Sequence, residues 1–250
     1  IGEGRFGLNI VCGWNLGEFD MFGATMREHG ARYDYAQEWF DTIKLAWSDA
    51  DDFAFDGQFI RLRQARAKPK PFGGSRPIVM NAAASPTGQA FAIRSCDALI
   101  SMTPKGNLGE FATHVANIRR LACEGGGQID VYTVGVITCR NTQHEAEEYY
   151  RHSMINNADW AAVDQIMAMR GVTREKFPND FEERRYHQAN GMGGVPIVGD
   201  PDVVARELAQ LAGAGAKGVA LSFVNYLDEL PLFRDEVIPR LARMGLREPT

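Results

Sequence analysis

The sequence predicts an α/β protein assembled from parallel βαβ units. Two observations carry this. Short apolar runs, such as 5–12 and 129–139, alternate with longer stretches whose apolar residues recur at helical spacing. Turn signals fall between them, including GGG at 125–127 and Asp200-Pro201. With 45% apolar residues in 250, the chain can bury one sizeable core, so a single domain over 1–250 is expected.

In chain order, the first strand is expected at 5–12, with a buried pattern from Phe6 to Val11. A helix follows at 33–47, with Tyr35, Trp39, Ile43 and Leu45 as its buried face. Residues 53–62 read as a hairpin around Asp56-Gly57, a dipeptide that tolerates positive φ, within an insertion spanning 53–72. The second core strand is 76–83, and Ser85-Pro86-Thr87 opens a helix ending near Arg94. A third strand at 97–102 precedes a helix at 108–123; a fourth at 129–139 precedes a helical region over 143–170. Weak periodicity, many charges and GMGG make 172–195 a candidate lid, a plain helical linker being the alternative. Asp200 and Pro201 suit the N-cap and first position of a helix to 212. A fifth strand at 218–224 and a helix at 229–244 close the count.

Five parallel strands fit two architectures. One is an open doubly wound sheet; the other is the rear of a (β/α)8 TIM barrel lacking its first three or so βα units, roughly one hundred residues.

Net charge is −5, and the basic residues are scattered apart from a run at 61–70, so no nucleic-acid partner is expected. Cys12, Cys96, Cys123 and Cys139 show no CxxC spacing, which fits a reducing cytoplasm. No apolar run approaches the ~18 residues of a membrane span, and no signal-peptide pattern is present. The P-loop, HExxH and GxSxG patterns are absent, and GEGRFG precedes a strand instead of following one. His29, His114, His144, His152 and His187 lack ligand spacing, so no metal is expected. Chemistry without an acid–base team suggests a bound cofactor.

Sites in either architecture gather at the C-terminal ends of strands. These ends are Asn9 to Trp14, NAAASPTG with Asn81 and Ser85, and SFVNY. Ser85 at a helix start can offer its hydroxyl and nearby N–H groups to a phosphate, a simple N-cap being the alternative. Arg32 and Tyr33, opening the first long helix, could add a guanidinium and a phenol to the same anion.

GRFGLNIVCGWN, RYDYAQEWF, FDGQFIRL, RPIVMNAAASPTG and PIVGDPDVVARELAQLAGAGAKGVALSF, in that order, resemble the bacterial luciferase-like, flavin-dependent monooxygenases. That family implies a TIM barrel using reduced FMN and dioxygen, with GRxxxNxVxGW as its fourth strand. Within it the chain looks closest to the dimethylsulfone and pyrimidine monooxygenase branch, and SFVNYLDELPLFRDEVIPRL with GMGG resembles the dimethylsulfone enzymes. By resemblance, Asn9 and Glu18 contact the flavin, and Arg32, Tyr33 and Ser85 hold its phosphate. Asn9 could donate to the flavin or the reacting oxygen, and Glu18 could orient a polar group or water. Trp14 is the candidate to pack against the flavin or the lid, with core packing as the alternative. In alkanesulfonate enzymes a substrate-facing Arg and His fall where this chain has Val134 and Val136, which favours a small neutral substrate. The resemblance thus implies oxygenation of a sulfone-like compound with C–S cleavage, reduced flavin coming from a separate NAD(P)H:flavin reductase. Pyrimidine-type or deazaflavin chemistry, or an incomplete flavin-binding remnant, are the alternatives. An unclosed barrel would expose edge strands, so a homodimer or larger homo-oligomer is expected.

Overall fold

The structure, a computed structural model, describes residues 2–103, 107–191 and 193–248. It divides into two compact units, Ile1–Ile100 with Ile118–Asp130, and Ser101–Asn117 with Val131–Thr250.

The first unit opens with β1 (Gly7–Ile10), α1 (Leu16–Met21) and α2 (His29–Trp47). A hairpin of β2 (Phe53–Asp56) and β3 (Arg61–Ala65) follows, then β4 (Ile78–Ala82), α3 (Pro86–Ser95) and β5 (Ala98–Ile100). β1 pairs in parallel with β4, from Gly7 opposite Ile78 to Ile10 opposite Asn81, and β4 pairs in parallel with β5. Ile10, Val79, Phe91 and Cys96 form the core with Ala36 and Phe40 of α2. The stripe that α2 buries is Ala36 and Phe40, continued by half-buried Ile43 and Trp47, at helical i, i+4, i+7 spacing. It lies one position away from the predicted stripe at its start: Tyr35 is exposed, its ring turned to Phe59 of the hairpin.

β1 also departs from expectation. Only Ile10 is buried, while Phe6 and Val11 stand exposed. Among the described residues β1 pairs with β4 alone, so its other edge has no strand to bury against.

The hairpin turn is a four-residue loop, 57–60, closed by Gly57 N–H on the Ile60 carbonyl at 2.9 Å. Gly57 is not in the left-handed region; it permits close approach, since a Cβ would lie 2.6 Å from Glu38 Cδ. The Glu38 carboxylate accepts three loop N–H bonds, from Gln58 and Phe59 at 2.8 Å and Ile60 at 3.1 Å, tying hairpin to α2. Asp97 locks the starts of β4 and β5: it takes a forked pair from Arg76 at 2.6 and 2.7 Å and the Val79 N–H at 2.8 Å.

The second unit takes the start of α4 (Leu108–Glu124), then β6 (Asp130–Cys139) and α5 (Gln143–Tyr150), which a Thr142/Glu145 capping box opens. α6 (Trp160–Met169), α7 (Phe181–Ala189), β7 (Val195–Gly199), α8 (Pro201–Gly213) and β8 (Gly218–Ser222) follow. The C-terminal helix comprises α9 (Tyr226–Leu232), a wide π turn (Phe233–Val237) and α10 (Ile238–Arg243). β6 pairs in parallel with β7 over Gly135–Cys139 and with β8 over Tyr132–Val136.

β7 is the strand that sequence patterning missed. It is five residues long and carries Pro196, which cannot donate to a ladder and so argues against a strand. The helical region predicted over 143–170 is interrupted before α6, whose N-cap Asp159 accepts from Ala162 N–H at 3.0 Å. Within the candidate lid 172–195, residues 181–189 are α7, and Met192 lies outside the described residues. α7 is tied to α6 by a forked Arg185–Asp164 pair at 2.6 and 2.9 Å and an edge-on Trp160–Tyr186 contact.

Candidate functional site

The C-terminal ends of β1 and β4 carry the predicted residues. At the end of β4, the Ser85 hydroxyl caps α3 by accepting Gly88 N–H at 3.2 Å, and Pro86 occupies the first helical position. Gly88 is buried beneath the Tyr33 phenol. A Cβ on Gly88 would lie 2.5 Å from Ala83 Cβ and closer still to Tyr33 Oη, so the hydroxyl sits directly over the first turn. Tyr33 is steadied by Phe91, with ring centroids 5.7 Å apart, and by the edge of His29. Tyr33 and Ser85 therefore meet at a helix start, where a hydroxyl, a phenol and the positive end of the helix dipole are suited to a phosphate.

Arg32 goes elsewhere. Successive helical residues diverge by about 100° around the axis, and Arg32 and its neighbour Tyr33 make different contacts. The Arg32 guanidinium donates to the Gly13 carbonyl, in the turn after β1. It also lines a cleft of about 630 Å³ with Asn9, Cys12, Phe19, Arg27 and Trp39. Arg27 lies over the Tyr35 ring at 4.9 Å and the Phe59 ring at 5.3 Å. Burial pushes the Cys12 thiol up to about 11 against the opposing pull of Arg32, so it is no thiolate nucleophile at neutral pH.

Asn9 is exposed on β1 and lines the cleft. Trp14 is 44% exposed, so it is not a core residue. Glu18 is exposed on α1 and accepts from Asn15 Nδ2 at 3.0 Å; it does not line the cleft. Sequence reasoning missed Arg27 and Trp39 as cleft residues, and Gly88 as the place where Tyr33 docks. The alternation of β1 could have found the cleft face; Gly88 has no signal beyond its position three residues after Ser85.

In the second unit, a cleft of about 500 Å³ is lined by Met102, Met167, Val172, His187 and Gln188 among others. The GMGG turn backs onto β6: a Cβ on Gly194 would lie 3.0 Å from Val136 and 3.3 Å from Val134. Among the described residues, no cluster of His, Cys, Asp or Glu is placed to hold a metal ion. Nor is any described helix long and apolar enough to cross a membrane.

The family described as luciferase-like monooxygenase matches residues 1–218. This chain belongs to that family. Among luciferase-like relatives, the FMNH2-dependent dimethylsulfone monooxygenase of Pseudomonas fluorescens is 27% identical over 244 residues, 95% of this chain and 65% of its own length. Pyrimidine monooxygenase RutA of Escherichia coli K12 is 27% identical over 248 residues, 96% of this chain and 63% of its own length. The chain thus spans just under two thirds of the curated relatives it matches. The crystal structure of DmoA from Hyphomicrobium sulfonivorans superposes with a TM-score of 0.80 at 18% identity, over 97% of this chain and 62% of that one. The chain shares the mixed α/β, TIM-barrel-like fold of these luciferase-like proteins, with parallel strands in both units.

Proposed function

We propose that this chain is the flavin-phosphate-holding part of an FMNH2-dependent monooxygenase that oxygenates a small sulfone-like compound with C–S cleavage. The observation that carries the reading is the meeting of Tyr33 and Ser85 over Gly88 at the start of α3. The donor set fits a phosphate: the Ser85 hydroxyl and the Tyr33 phenol stand together at the first turn of α3, and the absence of a side chain on Gly88 lets the phenol come that close. Bound reduced flavin would supply the electrons that split dioxygen, one oxygen atom entering the substrate.

The residues then divide the work. Ser85 and Tyr33 hold the phosphate, while Arg32 fixes the β1–α1 turn through Gly13. Asn9 offers its amide to the flavin edge or the reacting oxygen. Trp14 packs beside the flavin, and Glu18 orients a polar group or water at the rim. Phe19, Trp39 and Cys12 give the adjoining cleft apolar surface beside Arg27 and Arg32 and limit water at the reacting centre. Segment 172–195 is read as the lid, and the valines at 134 and 136, where alkanesulfonate enzymes carry Arg and His, bring no cation, which favours an uncharged substrate.

We read the whole as one luciferase-like domain of a (β/α)8 barrel, in which about three further βα units complete the cylinder beside β1. The unpaired edge of β1 and its exposed Phe6 and Val11 support that reading, as does the partial span of the relatives. A homodimer, a cytoplasmic setting for the four free cysteines, and a separate flavin reductase belong to the same proposal. The pyrimidine reading stays beside it because the RutA relative is equally identical at 27%. Titration with FMN and FMNH2, followed by turnover of dimethylsulfone or uracil under ¹⁸O2 with a flavin reductase, tests both. Label in a sulfinate or aldehyde product supports the sulfone reading, and label only in opened uracil supports the other. No binding of either flavin form by the chain, alone or with the barrel's remaining units, refutes the proposal.

A further inference from the structure

One wall of the cleft is the stretch in which β1 ends and turns, Asn9 to Gly13. Two of its carbonyls are held by side chains from other elements. Gly13 is held by Arg32 of α2, and Ile10 accepts from Asn81 Nδ2 of β4 at 2.6 Å. Asn81 stands opposite Ile10 in the parallel ladder and is 1% exposed. Chemistry fixes its orientation, because only the NH2 end of an amide can face a carbonyl oxygen. The other end, Oδ1, is therefore an acceptor; it is buried and has no partner among the described residues.

An amide in the interior that satisfies one end and strands the other is a poor device for stability, since an unpaired buried acceptor is costly. An apolar side chain would fill the space without a stranded Oδ1, but it would take the donor away from the Ile10 carbonyl. What Asn81 supplies that an apolar residue cannot is a fixed position for the Ile10 carbonyl, and with it for the turn at Cys12, Gly13 and Trp14. Arg32 fixes the far side of the same turn three residues on, and its Nε is likewise buried without a partner.

We infer that Asn81 is a positioning residue: it acts through the Ile10 carbonyl to hold the cleft-forming turn in its ligand-receiving geometry. The inference rests on the flavin reading for its binding readout alone. In Asn81→Asp, an ionised carboxylate has no hydrogen to give Ile10, whereas the protonated acid restores both the donor and the acceptor of the amide. FMN affinity of the Asp variant, as a ratio to the unaltered chain, is therefore pH-dependent. It should be about tenfold weaker near pH ~8.5 and return toward parity near pH ~5.5, burial raising the carboxyl pKa into that window. Asn81→Ala should be weakened at both values.

Melting temperatures of the flavin-free proteins are measured alongside. A merely structural role lowers them and leaves the affinity ratio at one, without pH dependence, and that result overturns the inference. Should Asn81→Ala fail to fold, the Asp variant at the two pH values decides alone. If the unaltered chain binds FMN in neither redox state, the flavin reading fails by itself. Asn81 is then judged by amide hydrogen exchange at Cys12 to Asn15: about tenfold faster exchange in the Ala variant upholds the inference, and unchanged exchange overturns it.

Discussion

Replacing Gly88 with Ala separates the phosphate cradle from the general stability of α3. Two effects oppose each other in the fold. Alanine is better than glycine in a helix by ~1 kcal/mol, while forcing a methyl into a packed site costs ~1–3 kcal/mol. The new Cβ would lie 2.5 Å from Ala83 Cβ and closer to Tyr33 Oη. Ala83 is buried beside the backbone of β4 and has no room to yield, whereas the Tyr33 ring can swing on its helix. Swinging Tyr33 relieves only one of the two clashes, so the net change in stability should lie near the upper end of this balance, ~2 kcal/mol of destabilisation. The effect on binding is read separately, as a ratio between two ligands. With the phenol pushed off the helix start, one hydrogen bond to a charged group is lost, ~1.5–3 kcal/mol, which raises the FMN dissociation constant roughly ten- to a hundredfold. Riboflavin, which lacks the phosphate, should lose little. Flavin-fluorescence titration with both ligands, plus urea unfolding of the flavin-free protein, reads all three numbers. An unchanged FMN-to-riboflavin affinity ratio would show that the phosphate does not lie at Gly88, and the cradle argument would fall.

Three further outcomes follow from the packing. Glu229 is 3% exposed and pairs with Arg140 at 2.8 Å. Arg140→Met leaves that carboxylate buried without its cation, held only by the Asn225 N–H at 3.2 Å, and should cost ~3–5 kcal/mol, a fall in melting temperature of roughly 6–20 °C at ~2–4 °C per kcal/mol. The double replacement Arg140→Met/Glu229→Leu should recover most of it, and equal melting of the single variant and the parent would refute the pairing. The Arg76 fork holds the Asp97 carboxyl below the usual range, against burial and with help from Val79 N–H. Because the folded pKa is the lower one, this stabilisation is complete above the unfolded value of ~3.9 and is lost as pH falls through the folded value. Asp97→Asn should flatten that acid limb in urea unfolding, and parallel curves would contradict it. Burial pulls the Glu38 carboxyl upward, yet the N–H groups of Phe59, Gln58 and Ile60 outweigh it and hold the group low. Glu38→Gln should speed amide exchange at Gln58 to Ile60 with little change in melting; unchanged exchange would sink that account.

The five strands foreseen from apolar runs are present because each run is long enough to be recognised against its turn signals. β7 escaped because Pro196 within it imitates a loop, although its ladder partner Val136 is fully committed to the interior. The α2 stripe was misplaced for a related reason. Tyr35 counts toward the apolar pattern as Phe40 does, but Phe59 of the hairpin, further down the chain, gives its ring somewhere else to lie. Periodicity ranks residues by their own hydrophobicity, and it cannot include a competing surface supplied from a distant part of the chain.

The site was legible where one residue's backbone position determines its role. Ser85 follows a strand and precedes a proline, so a hydroxyl at a helix start could be inferred from four letters. Arg32 and Tyr33 show the limit of such inference. Adjacency in sequence suggested a shared anion; in the structure the Arg32 guanidinium donates to the Gly13 carbonyl after β1, while the Tyr33 phenol lies over the first turn of α3. The division proves useful: Tyr33 meets the capped helix, while Arg32 and Asn81 grip the turn at either end through Gly13 and Ile10. A ligand spanning from the α3 start to the cleft would then be held by its anionic tail at one end and by a preset turn at the other. That geometry predicts that Arg32→Met weakens FMN and riboflavin alike, because it loosens the turn and leaves the phosphate contact intact. Tyr33→Phe should weaken FMN alone. Identical ligand profiles for the two variants, in the same fluorescence titration, would return Arg32 to the phosphate and collapse the division.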